Sequence, residues 1–475
     1  MTPTRRDVAR LSLGALLLPG RPAAAIAAGW RLGFTTPPDR LDGELALLEG
    51  DVPPGLRGQY YRIGPAQFER AGERLGHWFD GDGMIQKFAI RGGRVHHSGR
   101  FIDTDKRRKE SAAGRFLFPG YGFSPRTPAE TLRPDDLNAA NTNVLPLNGE
   151  VWALWEGGSP WRVAASDLQT IGRQTFDGEL NGVAFSAHPK VLPDGEIWNF
   201  GLLLAPRAIV WNLRANGAVR KAAVVELPAA SLMHDFAVTS RSIVLLLPPM
   251  LLGNAPARSL VDRYQWHGDE PLRIVVLDKA DLTIRHTYEL PARFLFHIGN
   301  AWEDASGTIR VDTFVDADAT FAVKTARDLA LGVAMSSPTA RLVQFSLHPD
   351  GRAHMSAFPS HGEFPRINPL HAGTRHRYTY GVVDRGIARW DLESGEHEPF
   401  VLGANYWSDE PVFVPWPDAA AEDDGWVLAT ALNYGAGRTE LNIFDAGRIP
   451  EGPVARLACA YALPLGFHGT FVADA

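Results

Sequence analysis

Cysteine is almost absent: Cys459 is the only one in 475 residues. A disulfide framework and a thiolate metal cage are both excluded within one chain, so any transition metal must be held by His, Asp or Glu. Cys459 lies in the apolar run from Leu457 to Leu463 and reads as a small buried hydrophobe rather than a nucleophile. Basic charge is not in excess either. The 48 Lys and Arg against 54 Asp and Glu give a net charge of −6, and the basic residues are dispersed, which leaves no electrostatic footprint for nucleic acid. The apolar stretch from Leu11 to Leu18 is too short to span a bilayer. Helical periodicity is scarce, confined to one helix over Thr320 to Ala334 and a shorter turn over Ala165 to Ile171. No linker, low-complexity run or exact repeat divides the chain after its N-terminal segment.

What the chain has in quantity is short strands. Val151 to Trp155, Glu196 to Phe200, Ser242 to Leu247, Arg273 to Leu277, Arg341 to Leu347, Tyr378 to Val383 and Gly425 to Ala431 are rich in β-branched and aromatic residues. Turn chemistry separates strands of this kind: Pro193-Asp194-Gly195, Pro349-Asp350-Gly351 and Gly92-Gly93 are hairpin turns by composition. Strands at even spacing over more than 400 residues favour an all-β propeller over a sandwich, which would be smaller. Residues 29–475 are therefore expected to form a single β-propeller domain.

Residues 1–28 read as a targeting segment. Thr4-Arg5-Arg6-Asp7-Val8 resembles a twin-arginine export signal, Leu11 to Leu18 supplies its apolar core, and Ala25-Ile26-Ala27 suits cleavage. That predicts a protein that folds in the cytoplasm and is exported to the periplasm. If the arginine pair is a chance feature of a tail, the protein stays cytoplasmic.

Four histidines stand in four separate strand-like neighbourhoods: His188 in Ser-Ala-His-Pro-Lys, His234 in Met-His-Asp-Phe, His297 in Phe-His-Ile-Gly-Asn and His468 in Phe-His-Gly-Thr-Phe. Neutral imidazoles suit iron, copper, zinc or nickel, and four of them leave two positions open on an octahedral ion. Glu156, Glu363 and Glu410 lie in equally apolar contexts. Buried carboxylates are costly unless paired, and imidazole N–H groups would supply that pairing.

Read together, the motifs resemble the carotenoid cleavage oxygenase family from about Leu41 to Val472. They are Gly58-Gln59-Tyr60-Tyr61-Arg62-Ile63-Gly64-Pro65, His77-Trp78-Phe79-Asp80-Gly81-Asp82-Gly83-Met84, Asn141-Thr142-Asn143-Val144, Ala187-His188-Pro189-Lys190, Met233-His234-Asp235-Phe236, Phe296-His297-Ile298-Gly299-Asn300, Glu363-Phe364-Pro365-Arg366-Ile367-Asn368, Ser408-Asp409-Glu410-Pro411 and Gly466-Phe467-His468-Gly469. The resemblance implies a seven-bladed β-propeller, capped by loops and short helices over an axial metal site. It implies one Fe(II) held by His188, His234, His297 and His468. Glu156 would then orient His234, Glu363 would orient His297 and Glu410 would orient His468, with His188 lacking a carboxylate, while Thr142 would lie near an open iron position. The implied reaction is cleavage of a carbon–carbon double bond by O2 into two carbonyl products, in a carotenoid or apocarotenoid. A stilbene or phenylpropenoid alkene is the alternative substrate. In the stilbene-cleaving branch a lysine precedes the glutamate matching Glu156; here Trp155 stands there, which suits an apolar polyene. Ile63 also departs from the family's usual asparagine.

Readings of other classes are a propeller that sequesters a lipophilic ligand without turnover, and a zinc hydrolase, against which four neutral ligands and no evident general base weigh. Around His77, the Asp-Gly-Asp-Gly stretch reads as a turn needing special backbone angles, not a second metal site shared with His96 and His97. His348, His354, His361, His371, His376 and His397 read as surface or loop residues. The run Leu245 to Leu252 is either the end of a core strand or an apolar patch that makes peripheral contact with a membrane.

Overall fold

The computed structural model describes residues 29–474 except 204, 255, 256 and 334–336, so the export segment lies outside the described residues. The chain alternates strand and tight turn, and every strand named from composition is present, among them Ser242–Leu247, Arg341–Leu347 and Tyr378–Val383. The Gly92-Gly93 turn joins Gly83–Arg91 to Arg94–Phe101 with Arg91 opposite Arg94. Both glycines have positive φ, the conformation such a turn needs.

Among the described residues, seven antiparallel sheets of four to six strands are arranged as propeller blades, with two two-stranded ribbons, Met250–Leu252 with Tyr264–Trp266 and Glu69–Arg70 with Glu73–Arg74, outside them. Blade 1 has Gly469–Ala473 paired with Gly58–Pro65, followed outward by Gly83–Arg91, Arg94–Phe101 and Arg40–Glu44. Blades 2 to 6 run in simple order, their first strands being Asn143–Leu147, Lys190–Val191, Phe236–Val238, Ile298–Glu303 and Glu363–Arg366. Blade 7 opens with the split strand Tyr406–Ser408 and Val412–Pro415, and its outer edge is Ala46–Gly50. Strands from both ends of the chain thus complete blades 7 and 1, and this latches the ring.

A blade cannot bury either face alone, so each packs on its neighbours. One apolar cluster fills each of the seven seams: Ile63 and Ala153 between blades 1 and 2, Trp152 and Trp211 between 2 and 3, Phe200 and Phe236 between 3 and 4. Val276 and Val311, Phe314 and Trp390, Tyr380 and Phe444, and Leu428 and Tyr60 mark the remaining four in order. Two further clusters roof the axis. One gathers Trp30, Phe34, Trp78 and Leu329, the other Leu232, Met250, Phe294 and Phe296.

Several expectations change in detail. Thr320 to Ala334 begins as a π-turn over Phe321–Thr325 and continues as a short α-helix over Ala326–Ala330, ending before Gly332 in the left-handed region. Ala165 to Ile171 forms no helix beyond one bond, Leu168 N–H to Ala164 C=O at 3.0 Å, because Leu168 sits at φ 60° and turns the chain into the next strand. In the Asp-Gly-Asp-Gly stretch the glycines answer to close approach, not special angles: Gly81 has φ −65°, and a Cβ on Gly83 would lie 2.0 Å from the Ala140 carbonyl oxygen. His77 is buried there and bonded to the Ala322 carbonyl, and burial pushes its pKa down to about 3. His376 is a buried residue rather than a surface one, 3.1 Å from Asp312. Met250 is fully buried in the roof, so the apolar run from Leu245 to Leu252 is core at that position.

Candidate metal centre

The four histidines occupy equivalent places. Each ends the approach to the first strand of a blade: His188 before Lys190–Val191, His234 before Phe236–Val238, His297 before Ile298–Glu303 and His468 before Gly469–Ala473. First strands line the axis, so their leading residues converge, and one ligating nitrogen from each ring lies within 4.8 Å of the others. The three remaining blades place Thr142 before Asn143–Leu147, Glu363 at the start of Glu363–Arg366 and Glu410 within the split strand of blade 7. Seven blades thus present a ring of four imidazoles, two carboxylates and a threonine at one level.

Carboxylates fix three of the rings. Glu363 Oε2 accepts from His297 Nδ1 at 2.9 Å and Glu410 Oε1 accepts from His468 Nδ1 at 2.9 Å. Glu156, reached from blade 2, pairs with His234 Nδ1. His188 has no carboxylate partner among the described residues. The three supports differ in shielding: the Glu156 side chain is 34% exposed, Glu363 19% and Glu410 4%.

This pattern tests the site for a cation. With Nδ1 donating to a glutamate, neutral His234 and His297 carry bare lone pairs on Nε2, yet these atoms face each other at 3.1 Å. His188 Nε2 lies 2.9 Å from His234 Nε2. Adjacent nitrogens on an octahedral ion at about 2.1 Å stand about 3 Å apart, so a shared divalent cation fits the donor set and relieves the lone-pair repulsion. Burial, followed by the neighbouring imidazoles, holds His188 and His297 well below the usual histidine range and keeps them neutral. Burial acts on His234 in the same sense, but the Glu156 carboxylate outweighs it and raises that ring. Burial pushes Glu363 up to about 7. Glu410 faces the same burial penalty but is drawn down by Arg366 and His468.

Beneath the ring, polar groups stitch the blades. Asp235 accepts from the N–H groups of Phe236 and Ile298 and pairs with Lys190 at 2.7 Å, joining the three blades that carry His188, His234 and His297. Arg62 and Asp409 form a buried pair at 2.7 Å between blades 1 and 7. Asn143 donates to Ala187 C=O at 2.8 Å between blades 2 and 3. Above the ring lies an aromatic cavity lined by Trp78, Phe79, Trp155, Phe296, Phe321, Trp407 and Phe467, and by Thr142, whose hydroxyl donates to Asn141 Oδ1 at 3.0 Å.

Two lining residues escaped sequence reasoning. Phe364 sits at φ 55°, costly for a bulky residue, and stacks on His297 with centroids 4.8 Å apart and planes 22° apart. Nothing local in its sequence marks it beyond its position after Glu363. Tyr121 places a buried hydroxyl with no hydrogen-bond partner among the described residues against the same cavity; its ring contacts with His77 and Phe79 and a bond from Val261 N–H to its carbonyl locate it.

A closed propeller with four converging imidazoles on its axis and an aromatic cavity above defines a candidate metal centre that opens onto an apolar substrate pocket. The sequence matches the retinal pigment epithelial membrane protein family over residues 34–473. It is 30% identical to the apocarotenoid-15,15'-oxygenase of Synechocystis sp., over 93% of this chain and 96% of that protein. It is 28% identical to resveratrol cleavage oxygenase 1 of Aspergillus fumigatus, over 92% and 94%. The crystal structure of cobalt-substituted Synechocystis ACO superposes with a TM-score of 0.83 at 28% identity, covering 94% of this chain and 98% of that one. The chain belongs to the carotenoid cleavage oxygenase family and is a dioxygenase of that kind.

Proposed function

We propose that the protein cleaves a carbon–carbon double bond of an apocarotenoid or carotenoid with O2, using Fe(II) held by His188, His234, His297 and His468. The carrying observation is the set of four imidazoles whose ligating nitrogens converge within 4.8 Å of one another at the floor of an aromatic cavity. The reaction balances without an added reductant, since one alkene and one O2 give two carbonyls. Bound Fe(II) supplies the activation of O2. The chain's own residues do the rest. Glu156, Glu363 and Glu410 hold three imidazoles in the tautomer that leaves Nε2 free. The aromatic walls orient a flat polyene and exclude water, and Thr142 narrows the space beside the imidazoles. No side chain needs to move a proton.

Trp155 in the cavity wall favours a hydrocarbon chain. The Tyr121 hydroxyl, which has no hydrogen-bond partner among the described residues, favours the second reading, a hydroxylated stilbene or phenylpropenoid. Fe(II)-loaded protein should be incubated with all-trans apocarotenals and with resveratrol-like stilbenes, with and without O2, and the products followed by mass. Oxygen-dependent formation of two carbonyl fragments is expected. Tight binding of a polyene with no turnover would instead mark a ligand-sequestering propeller. Residues 1–28 support export by the twin-arginine route to the periplasm, and Arg5→Lys with Arg6→Lys should leave the protein in the cytoplasm. The half-exposed Leu251 and Leu252 support peripheral membrane contact. No helix among the described residues is long and apolar enough to cross a membrane.

A further inference from the structure

Within each blade a ladder of backbone hydrogen bonds fixes where the strands stand, but among the described residues no ladder joins the first strands of different blades. The strands that follow His188, His234 and His297 belong to three separate sheets, and two of them, Lys190–Val191 and Phe236–Val238, are only two and three residues long. Apolar seams between blades are non-directional, whereas a metal site tolerates its donors only within about 0.2 Å of their proper distances. One side chain supplies direction here. Asp235 is buried and follows His234 directly, and its Oδ1 accepts from the N–H of its neighbour Phe236 at 2.7 Å, which holds the carboxylate in one orientation. Its Oδ2 accepts at 2.9 Å from the N–H of Ile298, the residue after His297. The ammonium of Lys190, two residues after His188, donates to Oδ2 at 3.0 Å and lies 2.7 Å from Oδ1, with the Phe236 ring 5.9 Å away. Every partner of this carboxylate thus stands one or two residues from a proposed ligand. Bonds of this charge-assisted kind are the stronger ones in a protein.

We propose that Asp235 is a positioning residue of the centre, which sets the spacing between His188, His234 and His297. This role rests on the metal reading of the four histidines and is one that no glutamate performs. Glu156, Glu363 and Glu410 each hold one imidazole by its Nδ1 and fix how that ring is turned. Asp235 fixes where three strands stand. Asparagine would keep its volume but offer one acceptor oxygen to the Phe236, Ile298 and Lys190 donors, and its amide would add two donors of its own. At least one strand is then released, and Lys190 loses its counter-charge.

The test titrates metal-free full-length protein anaerobically with Co(II) against a chelator, which gives Kd, and records the EPR spectrum of the bound high-spin Co(II), which reports the symmetry of its donors. Asp235→Asn should raise Kd about 10-fold or more and shift the g values. Lys190→Met, at a partly exposed side chain, releases only the strand that follows His188 and should shift them less. Asp82→Asn is the control. Asp82 is an equally buried carboxylate paired with a lysine, Lys106 at 2.8 Å, but the side-chain bonds of Asp82 and Lys106 reach no strand that follows a ligand, so its loss should lower Tm and leave Kd and g values unchanged. A folded Asp235→Asn protein with Kd within twofold of wild type would overturn the inference. A raised Kd with wild-type g values would also overturn it, because lost charge alone would then account for the effect. If Asp235→Asn does not fold, Lys190→Met decides by itself, and wild-type g values there would overturn the inference. Wild-type protein that takes up no Co(II) would overturn the metal centre itself, a result distinct from a wild-type site that the variants leave unmoved.

Discussion

Glu410→Gln is the most discriminating perturbation of the centre, because Glu410 is the most buried of the three supports and uses both oxygens. Oε1 accepts from His468 Nδ1 and Oε2 from Gly469 N–H, each at 2.9 Å, with Arg366 3.5 Å away. Glutamine offers one acceptor for these two donors. If its carbonyl faces Gly469, its amide N–H group faces His468 Nδ1, the ring proton moves to Nε2, and that nitrogen can no longer bind a cation. If its carbonyl faces His468, an amide donor meets the Gly469 N–H and a buried bond is lost. Leaving a buried donor unpaired costs about 1–3 kcal/mol, and losing the support of a metal-bound imidazole typically weakens binding about 10–100-fold, or about 1.4–2.7 kcal/mol. Anaerobic titration of metal-free protein with Co(II), followed by visible absorption in competition with a chelator, should show a Kd raised by that factor. Glu440→Gln is the control. Glu440 is equally buried but pairs with Arg456 and Arg438 away from the centre, so its loss should lower stability and leave Kd unchanged. A folded Glu410→Gln protein that binds Co(II) within twofold of wild type would refute the assignment of Glu410 as a support.

His297→Ala should abolish Co(II) binding and turnover together; full activity would remove His297 from the ligand set. Burial lowers the pKa of His97 to about 3, so its contribution to stability is complete above pH 6.5 and is lost as pH falls toward 3. His97→Gln should therefore flatten the pH dependence of urea unfolding between pH 6 and 4 by about 1.4 kcal/mol per pH unit, and an unchanged slope would count against a neutral buried ring. Burial pushes the Cys459 thiol up to about 12, so it should resist a thiol reagent at pH 8 until the protein is denatured. Met250→Ala should cost about 2–5 kcal/mol of stability without altering partitioning onto liposomes, whereas Leu251→Ser should reduce partitioning with little change in Tm. Unchanged partitioning in Leu251→Ser would dismiss the membrane reading.

The strands and their turns were legible because each is decided locally, by β-branched and aromatic residues bounded by Gly, Pro or Asp. The site residues were legible for a related reason: each imidazole precedes a short first strand, and its apolar context shows through. Their spacing was not legible as a repeat. Successive members of the ring from Thr142 to His468 stand 46, 46, 63, 66, 47 and 58 residues apart, because blades are lengthened by different excursions. His376 was misread because Arg375 and Arg377 flank it, yet alternation along an extended chain turns those two outward and His376 inward onto Asp312. The run from Leu245 to Leu252 stayed open between core and patch because an apolar run looks the same whether it meets lipid or a roof of phenylalanines, and at Met250 it is core. Phe364 and Asp235 depend on what lies opposite them across a seam or a cavity, and no local pattern carries that.

The placement of His468 joins the centre to the closure of the fold. It stands immediately before Gly469–Ala473, the strand that pairs with Gly58–Arg62 and completes blade 1. Glu410 holds the His468 ring through one oxygen and the first N–H of that closing strand through the other. Arg366 of blade 6 reaches the Gly469 carbonyl at 3.1 Å and lies 3.5 Å from the same glutamate. Blades 6, 7 and 1 therefore meet at the point where the fourth imidazole is fixed. A ring lacking its last strand would present three histidines at most in register, whereas the latched ring presents four. The imidazole set is thus a property of the closed propeller, and a cation bound by all four would in turn favour closure, because it binds the latched state more tightly than the open one.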